Sequence, residues 1–156
     1  MIRFATEQTI ERSADAVWTY AADIRRHPEW MGVLDARVVR GAGPEVGTLA
    51  IERLRFGPRT IDVEVTVTEA APGERLRWTV AGGSPLSGDV TLALDPLGPE
   101  RTHATWSGAI GLRGLWKILE PLMAAEVADG EAAELRRLKA NVEAGASDAH
   151  RSADRP

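Results

Sequence analysis

Cysteine is absent, which excludes disulfides and thiolate chemistry. Lysine occurs only at Lys117 and Lys139, so the positive charge is nearly all arginine. A net charge of -4 leaves no global basic field to recruit nucleic acid. Apolar runs are short. None approaches the ~20 residues of a membrane span, so no integral membrane segment is expected. The start, Met1-Ile-Arg-Phe-Ala-Thr-Glu7, has no apolar signal core, and a cytoplasmic location is the expectation. Aromatics are few, with two Phe and one Tyr, yet there are five Trp. One of them, Trp30, ends the charged, proline-broken segment Ile24-Arg-Arg-His-Pro-Glu-Trp30. A surface loop gains little from Trp, so Trp30 either plugs a core or helps to line something.

Motifs of overt catalysis are missing too. There is no Gly-x-Ser-x-Gly elbow. The histidines are His27, His103 and His150, without the spacing of a metal site, and no metal or other cofactor is expected. His103 falls on the strand face opposite Ala104 and Trp106, and His150 lies in the tail. The run Gly41-Ala-Gly-Pro-Glu-Val-Gly47 superficially suggests a nucleotide loop. Pro44 sits inside it, however, and a strand pattern follows where a phosphate loop needs a helix N-terminus, so it reads as a turn.

What is there reads clearly. The 156 residues suit one domain, expected over residues 1–145, followed by a polar, disordered tail over 146–156. Phe4 to Arg12 alternates as a strand with one wet face, placing Thr6 and Gln8 beside Phe4 and Ile10. Ser13 is a candidate N-cap for a first short helix, and Pro28 breaks the chain into a second. From Val33 to Ile110 six β segments follow, with turns at Gly57-Pro58, Pro72-Gly73, Gly82-Gly83-Ser84-Pro85 and Leu97-Gly98-Pro99. Val63, Val65, Trp78 and Leu92 fall on inward faces. From about Leu115 to Ala144 the period becomes helical. Trp116, Leu119, Met123, Val127, Leu138 and Val142 form its stripe, with Leu115 and Leu122 beside it. Pro121 predicts a kink or a late start, Gly130 an interruption, and Gly145 the end.

This order predicts an α+β fold: a seven-stranded antiparallel sheet curled around one long C-terminal helix, with two short helices after the first strand. A sheet that grips a helix leaves a space between them. The strand from Gly47 to Phe56 admits two registers. In one, Leu49 and Ile51 face in with Arg53 and Arg55, and Arg53 would hold an oxyanion. In the other, Glu52 lies inside with Ala50, Leu54 and Phe56, as a general acid or base with a raised pKa. His27, a loop residue beside Trp30 at the expected mouth of that space, and Glu126, on a helical row through Leu115, Leu119 and Leu122, are the other candidate catalytic groups.

Several stretches carry a family resemblance. Ile10-Glu-Arg-Ser-Ala-Asp-Ala-Val-Trp-Thr-Tyr20 and Asp23-Ile-Arg-Arg-His-Pro-Glu-Trp-Met-Gly-Val33 resemble the entry of the START/birch-pollen-allergen-like (SRPBCC) superfamily. The polyketide cyclase/dehydrase-like branch is the most similar. Val46-Gly-Thr48, Glu74-Arg-Leu-Arg-Trp78, Thr102-His-Ala-Thr-Trp106, Leu119-Glu-Pro-Leu-Met123 and Leu135-Arg-Arg-Leu-Lys-Ala-Asn-Val-Glu-Ala144 fit the same layout. The resemblance implies a helix-grip fold with a deep apolar cavity and a mostly apolar small-molecule ligand: a lipid, polyketide or quinone. The alternative it implies is a cyclase, aromatase or dehydratase acting on a polyketide-like chain. It places Trp30 at the cavity rim. Thr6, Gln8, Trp30, Val63, Val65, Trp78, Leu92, Trp106, Leu119 and Met123 are then the expected ligand-binding residues.

Overall fold

The structure is a computed structural model that describes residues 1–81 and 84–153. The glycines of the turn expected at Gly82-Gly83 therefore lie outside the described residues. Strand β1 (Ile2–Ile10) leads into helix α1 (Ala14–Ala22), a 3-10 turn (Ile24–Arg26) and the four-residue helix α2 (His27–Trp30). Six strands follow: β2 (Val33–Arg40), β3 (Leu49–Phe56), β4 (Arg59–Ala71), β5 (Arg75–Ala81), β6 (Leu86–Gly98) and β7 (Arg101–Leu112). A second 3-10 turn (Gly114–Leu119) precedes the long helix α3 (Glu120–Ala153). The seven strands form one antiparallel sheet in the order β1-β7-β6-β5-β4-β3-β2, so the first strand closes one edge beside the last.

Local chemistry explains the element boundaries. Ser13 Oγ accepts from Ala16 N at 3.2 Å and caps α1. Asp23 caps the 3-10 turn by accepting from Arg25 N at 3.1 Å. Pro28 lies in the first turn of α2, where a missing N–H costs nothing. In β4, Val63, Val65 and Val67 are buried while Asp62 and Glu64 are exposed, the alternation a one-sided sheet requires.

The long helix departs from expectation in phase and extent. Pro121 gives a late start, and the chain before it stays in a 3-10 turn. That tighter winding takes Leu115 and Ile118 off the helical stripe, and they are 93% and 79% exposed. Leu122 is 80% exposed, and Trp116 is half-exposed against Phe56. Gly130 does not interrupt α3, and the helix passes through Gly145 to Ala153. One glycine costs about 1 kcal/mol of helix propensity, less than the surrounding turns supply by staying hydrogen-bonded.

The helix grips the sheet with one half only. Leu135, Leu138 and Val142 are buried in the core with Ile10, Val17, Ala21 and Leu76. The N-terminal half, carrying Met123 and Val127, is only partly buried, and a cavity lies beneath it. No helix among the described residues is long and apolar enough to cross a membrane.

Candidate functional site

The cavity has a volume of about 250 Å³. Its floor is the concave face of the sheet, with Val63 and Val65 of β4, Trp78 and Val80 of β5, and Trp106 and Ile110 of β7. Met123 and Val127 of α3 form the roof, and Met31, Gly32 and Val33 form one end. Four carboxylates stand on this apolar lining: Glu52, Asp89, Glu131 and Glu134, of which Asp89 is paired with Arg77.

Glu52 reaches the interior because β3 takes the second of its two registers. Ala50 and Glu52 are buried and Leu54 and Phe56 half-buried, while Arg53 points out and pairs with Asp62 at 2.8 Å. An unpaired buried carboxylate would be costly, and Glu52 is not unpaired. His27 Nδ1 lies 2.5 Å from Glu52 Oε1, and both residues are buried. With Glu52 ionised, Nδ1–H is the donor.

His27 is one corner of a closed ring of four aromatic side chains. Its ring meets Trp30 at 5.9 Å and Trp78 at 5.3 Å, and Trp106 meets Trp30 at 5.4 Å and Trp78 at 5.8 Å. All four contacts are edge-to-face, the geometry ring quadrupoles favour. Trp30 therefore plugs the core. It is fully buried and stands behind Trp78 and Trp106, which are the cavity wall, so its expected place at the rim is corrected.

Glu131 and Glu134 sit one helical turn apart on α3. Trp106 Nε1–H donates to Glu131 Oε2 at 2.6 Å, and the Gly32 N–H donates to Glu134 Oε1 at 2.5 Å. Burial raises the pKa of Glu131. Burial first, and then the charge of Glu131, push Glu134 up to about 8. The two carboxyls act on one another: the Glu134 carboxyl favours ionised Glu131, and the Glu131 charge raises Glu134. Gly32 makes the approach possible, because a Cβ there would stand 2.9 Å from Glu134 Oε1. Gly32→Ala is expected to displace the Glu134 carboxyl from the exposed Gly32 N–H and cost about 0.5–1.5 kcal/mol, read by urea unfolding. A loss below about 0.5 kcal/mol would mean that the contact is dispensable.

Of the residues expected from sequence, Val63, Val65, Trp78, Trp106, Met123 and Glu52 line the cavity. Leu92 is buried in the core, Thr6 and Gln8 are half-buried on β1, and Leu119 ends the 3-10 turn; none of the four is on the lining. His27 is not at a solvated mouth but beneath Glu52. Glu126 is exposed and off the lining, because the row through Leu115, Leu119 and Leu122 that pointed to it is broken by the 3-10 turn. Sequence reasoning missed Glu131 and Glu134. The available signal was the stripe Met123–Val127, which at the next four-residue step reaches Glu131.

The family model described as polyketide cyclase / dehydrase and lipid transport matches residues 1–143. The chain belongs to this family. That match spans every residue lining the cavity. Among solved structures, a START superfamily protein from Mycobacterium smegmatis is 12% identical, with 90% of this chain and 97% of that one covered and a TM-score of 0.77. A protein from Thermus thermophilus is 17% identical over 92% and 98% of the two chains, with a TM-score of 0.76. The Zhui aromatase/cyclase from Streptomyces sp. R1128 is 12% identical over 90% and 93%, with a TM-score of 0.75. At these identities the likeness is one of fold, and the fold is the helix-grip fold of the START-like proteins. No individually curated protein matches the sequence.

Proposed function

We propose that this member of the polyketide cyclase/dehydrase and lipid-transport family binds a compact, mostly apolar small molecule between the sheet and the N-terminal half of α3. The observation that carries the reading is the cavity itself, walled by valines, Trp78, Trp106 and Met123. Burial of apolar ligand surface would supply the affinity at about 25 cal/mol per Å², with one polar group of the ligand set against the carboxyls. A volume of about 250 Å³ is at the small end for ligand pockets, which favours a two-ring or short-chain ligand over a long lipid held whole.

Equilibrium dialysis of 2-naphthalenemethanol, an uncharged two-ring probe, tests this. Saturable binding is expected, and Val65→Trp, which fills the cavity from its floor, is expected to weaken it at least about tenfold with the fold intact by circular dichroism. Unchanged binding to a folded Val65→Trp protein would place the ligand elsewhere.

A second reading, cyclase or dehydratase chemistry on a polyketide-like chain, is supported by Glu134. A carboxyl with a pKa of about 8 carries a proton at neutral pH and can donate it inside an apolar site. In a dehydration, Glu131 would take a proton from the carbon beside a carbonyl. Glu134 would protonate the departing hydroxyl, which leaves as water. Glu134→Gln is expected to abolish such turnover while retaining binding; turnover kept by the variant would remove Glu134 from the chemistry.

A further inference from the structure

The charges that line the cavity are mostly negative. Glu131 and Glu134 face it from α3 and Glu52 from β3. Among the described lining residues the only cation is Arg55, which is exposed near the end of β3. Asp89, also on the lining, is held at 2.9 Å by Arg77. Glu52 has its own partner in His27, behind the wall. Arg137, one turn along α3, donates through Nε to the Trp30 carbonyl at 2.9 Å and does not line the cavity; its charge draws the Glu134 pKa down, against the larger upward push of burial and Glu131. The Glu131–Glu134 pair is left with two N–H donors, from Trp106 and Gly32, for two carboxyl groups. Trp78, on the same lining and 5.8 Å from Trp106, is 1% exposed, and its Nε1–H has no partner among the described residues.

Two carboxyls in an apolar wall, short of donors and without an inward cation, are matched by one chemistry. We propose that the Glu131–Glu134 pair is the receptor for a cationic head group, and that the ligand of this cavity is a compact apolar amine. The ammonium N–H groups would donate to Glu131 and Glu134, and the faces of Trp78 and Trp106 would border the charge, an arrangement that aromatic rings reward. The ammonium takes the place of the proton that Glu134 holds, and that proton passes to solvent. The raised pKa of Glu134 fits this exchange, since the carboxyl holds its proton near neutrality until a cation replaces it. The proposal rests on the cavity reading above and names the ligand class for that same site.

The test compares three probes with one ring system: 2-naphthylmethylamine, 2-naphthalenemethanol and 2-naphthoic acid, each titrated by calorimetry at pH 6.5 and 8. The amine is expected to bind about tenfold more tightly than the alcohol, with the carboxylate weakest. At pH 6.5 its binding is expected to release about one proton, read from the difference between phosphate and Tris buffers. Glu131→Gln and Glu134→Gln, near-isosteric and read separately, are each expected to cut the preference for the amine at least about threefold, and the double variant to remove it. An alcohol that binds as well as the amine, or a double variant that keeps the preference, overturns the cationic assignment and leaves the cavity reading standing. If none of the three binds, both readings fall.

Discussion

Glu134→Gln is expected to flatten the dependence of stability on pH and to stabilise the protein at alkaline pH. In the folded chain Glu134 titrates at about 8, against an ordinary value of 4.5. Between those values the native state keeps a proton that the unfolded state has released. Stability therefore falls as pH rises through that window, and the loss is complete above about 8. A shift of this size corresponds to a loss of order a few kcal/mol. Glutamine keeps the side-chain oxygen that accepts from Gly32 and cannot ionise, so its cost does not grow with pH. Urea unfolding at pH 5, 7 and 9 checks this. The wild type should lose stability across the series, and the variant should be the more stable of the two at pH 9. Parallel curves would mean that the carboxyl is ionised throughout at little cost.

The second large effect is expected at Trp106, which joins the aromatic ring to the acidic pair. Trp106→Ala removes a fully buried indole and its contacts with Phe4, Trp30 and Trp78, and should cost about 3–5 kcal/mol. Trp106→Phe separates packing from hydrogen bonding. It keeps an aromatic ring but deletes the N–H that Glu131 accepts at 2.6 Å. A cost of about 1–3 kcal/mol is expected, larger at pH 9 than at pH 6, because the lost donor favoured the ionised carboxyl. Equal costs at the two pH values would show that Glu131 does not depend on Trp106.

These expectations mark where the sequence was informative. The strand pattern and the turn residues were legible because period two and Gly-Pro punctuation are local properties. Ser13, Pro28 and Pro121 marked helix boundaries for the same reason. The register of β3 was not legible, since Glu52 and Arg53 are both charged and each admits an inward reading. The deciding contact is His27, 25 residues earlier, which no local pattern connects to Glu52. His27 read as a loop residue because the charged run around it hides that Ile24, His27 and Trp30 form one buried face. The acidic pair was lost through an error of phase. A row begun at Leu115 leads to Glu126, whereas a row begun after Pro121 leads to Glu131.

The backbone beside Gly32 is fastened to α3 three times over. Glu134 accepts from Gly32 N, Arg137 donates to the Trp30 carbonyl, and Asn141 donates to the Glu29 carbonyl at 3.0 Å. These helix residues are three and four positions apart, so one face of α3 grips one short stretch of chain. Opening the cavity at that end would break all three bonds together. Before the start of α3 Leu115, Trp116 and Ile118 stand exposed, with Trp116 against Phe56 of the lining. Amide exchange should accordingly be slow at Met31 and Gly32 and fast over residues 114–119. A ligand would then enter beneath the start of α3 and leave by the same door, with the acidic pair at the closed end of the passage.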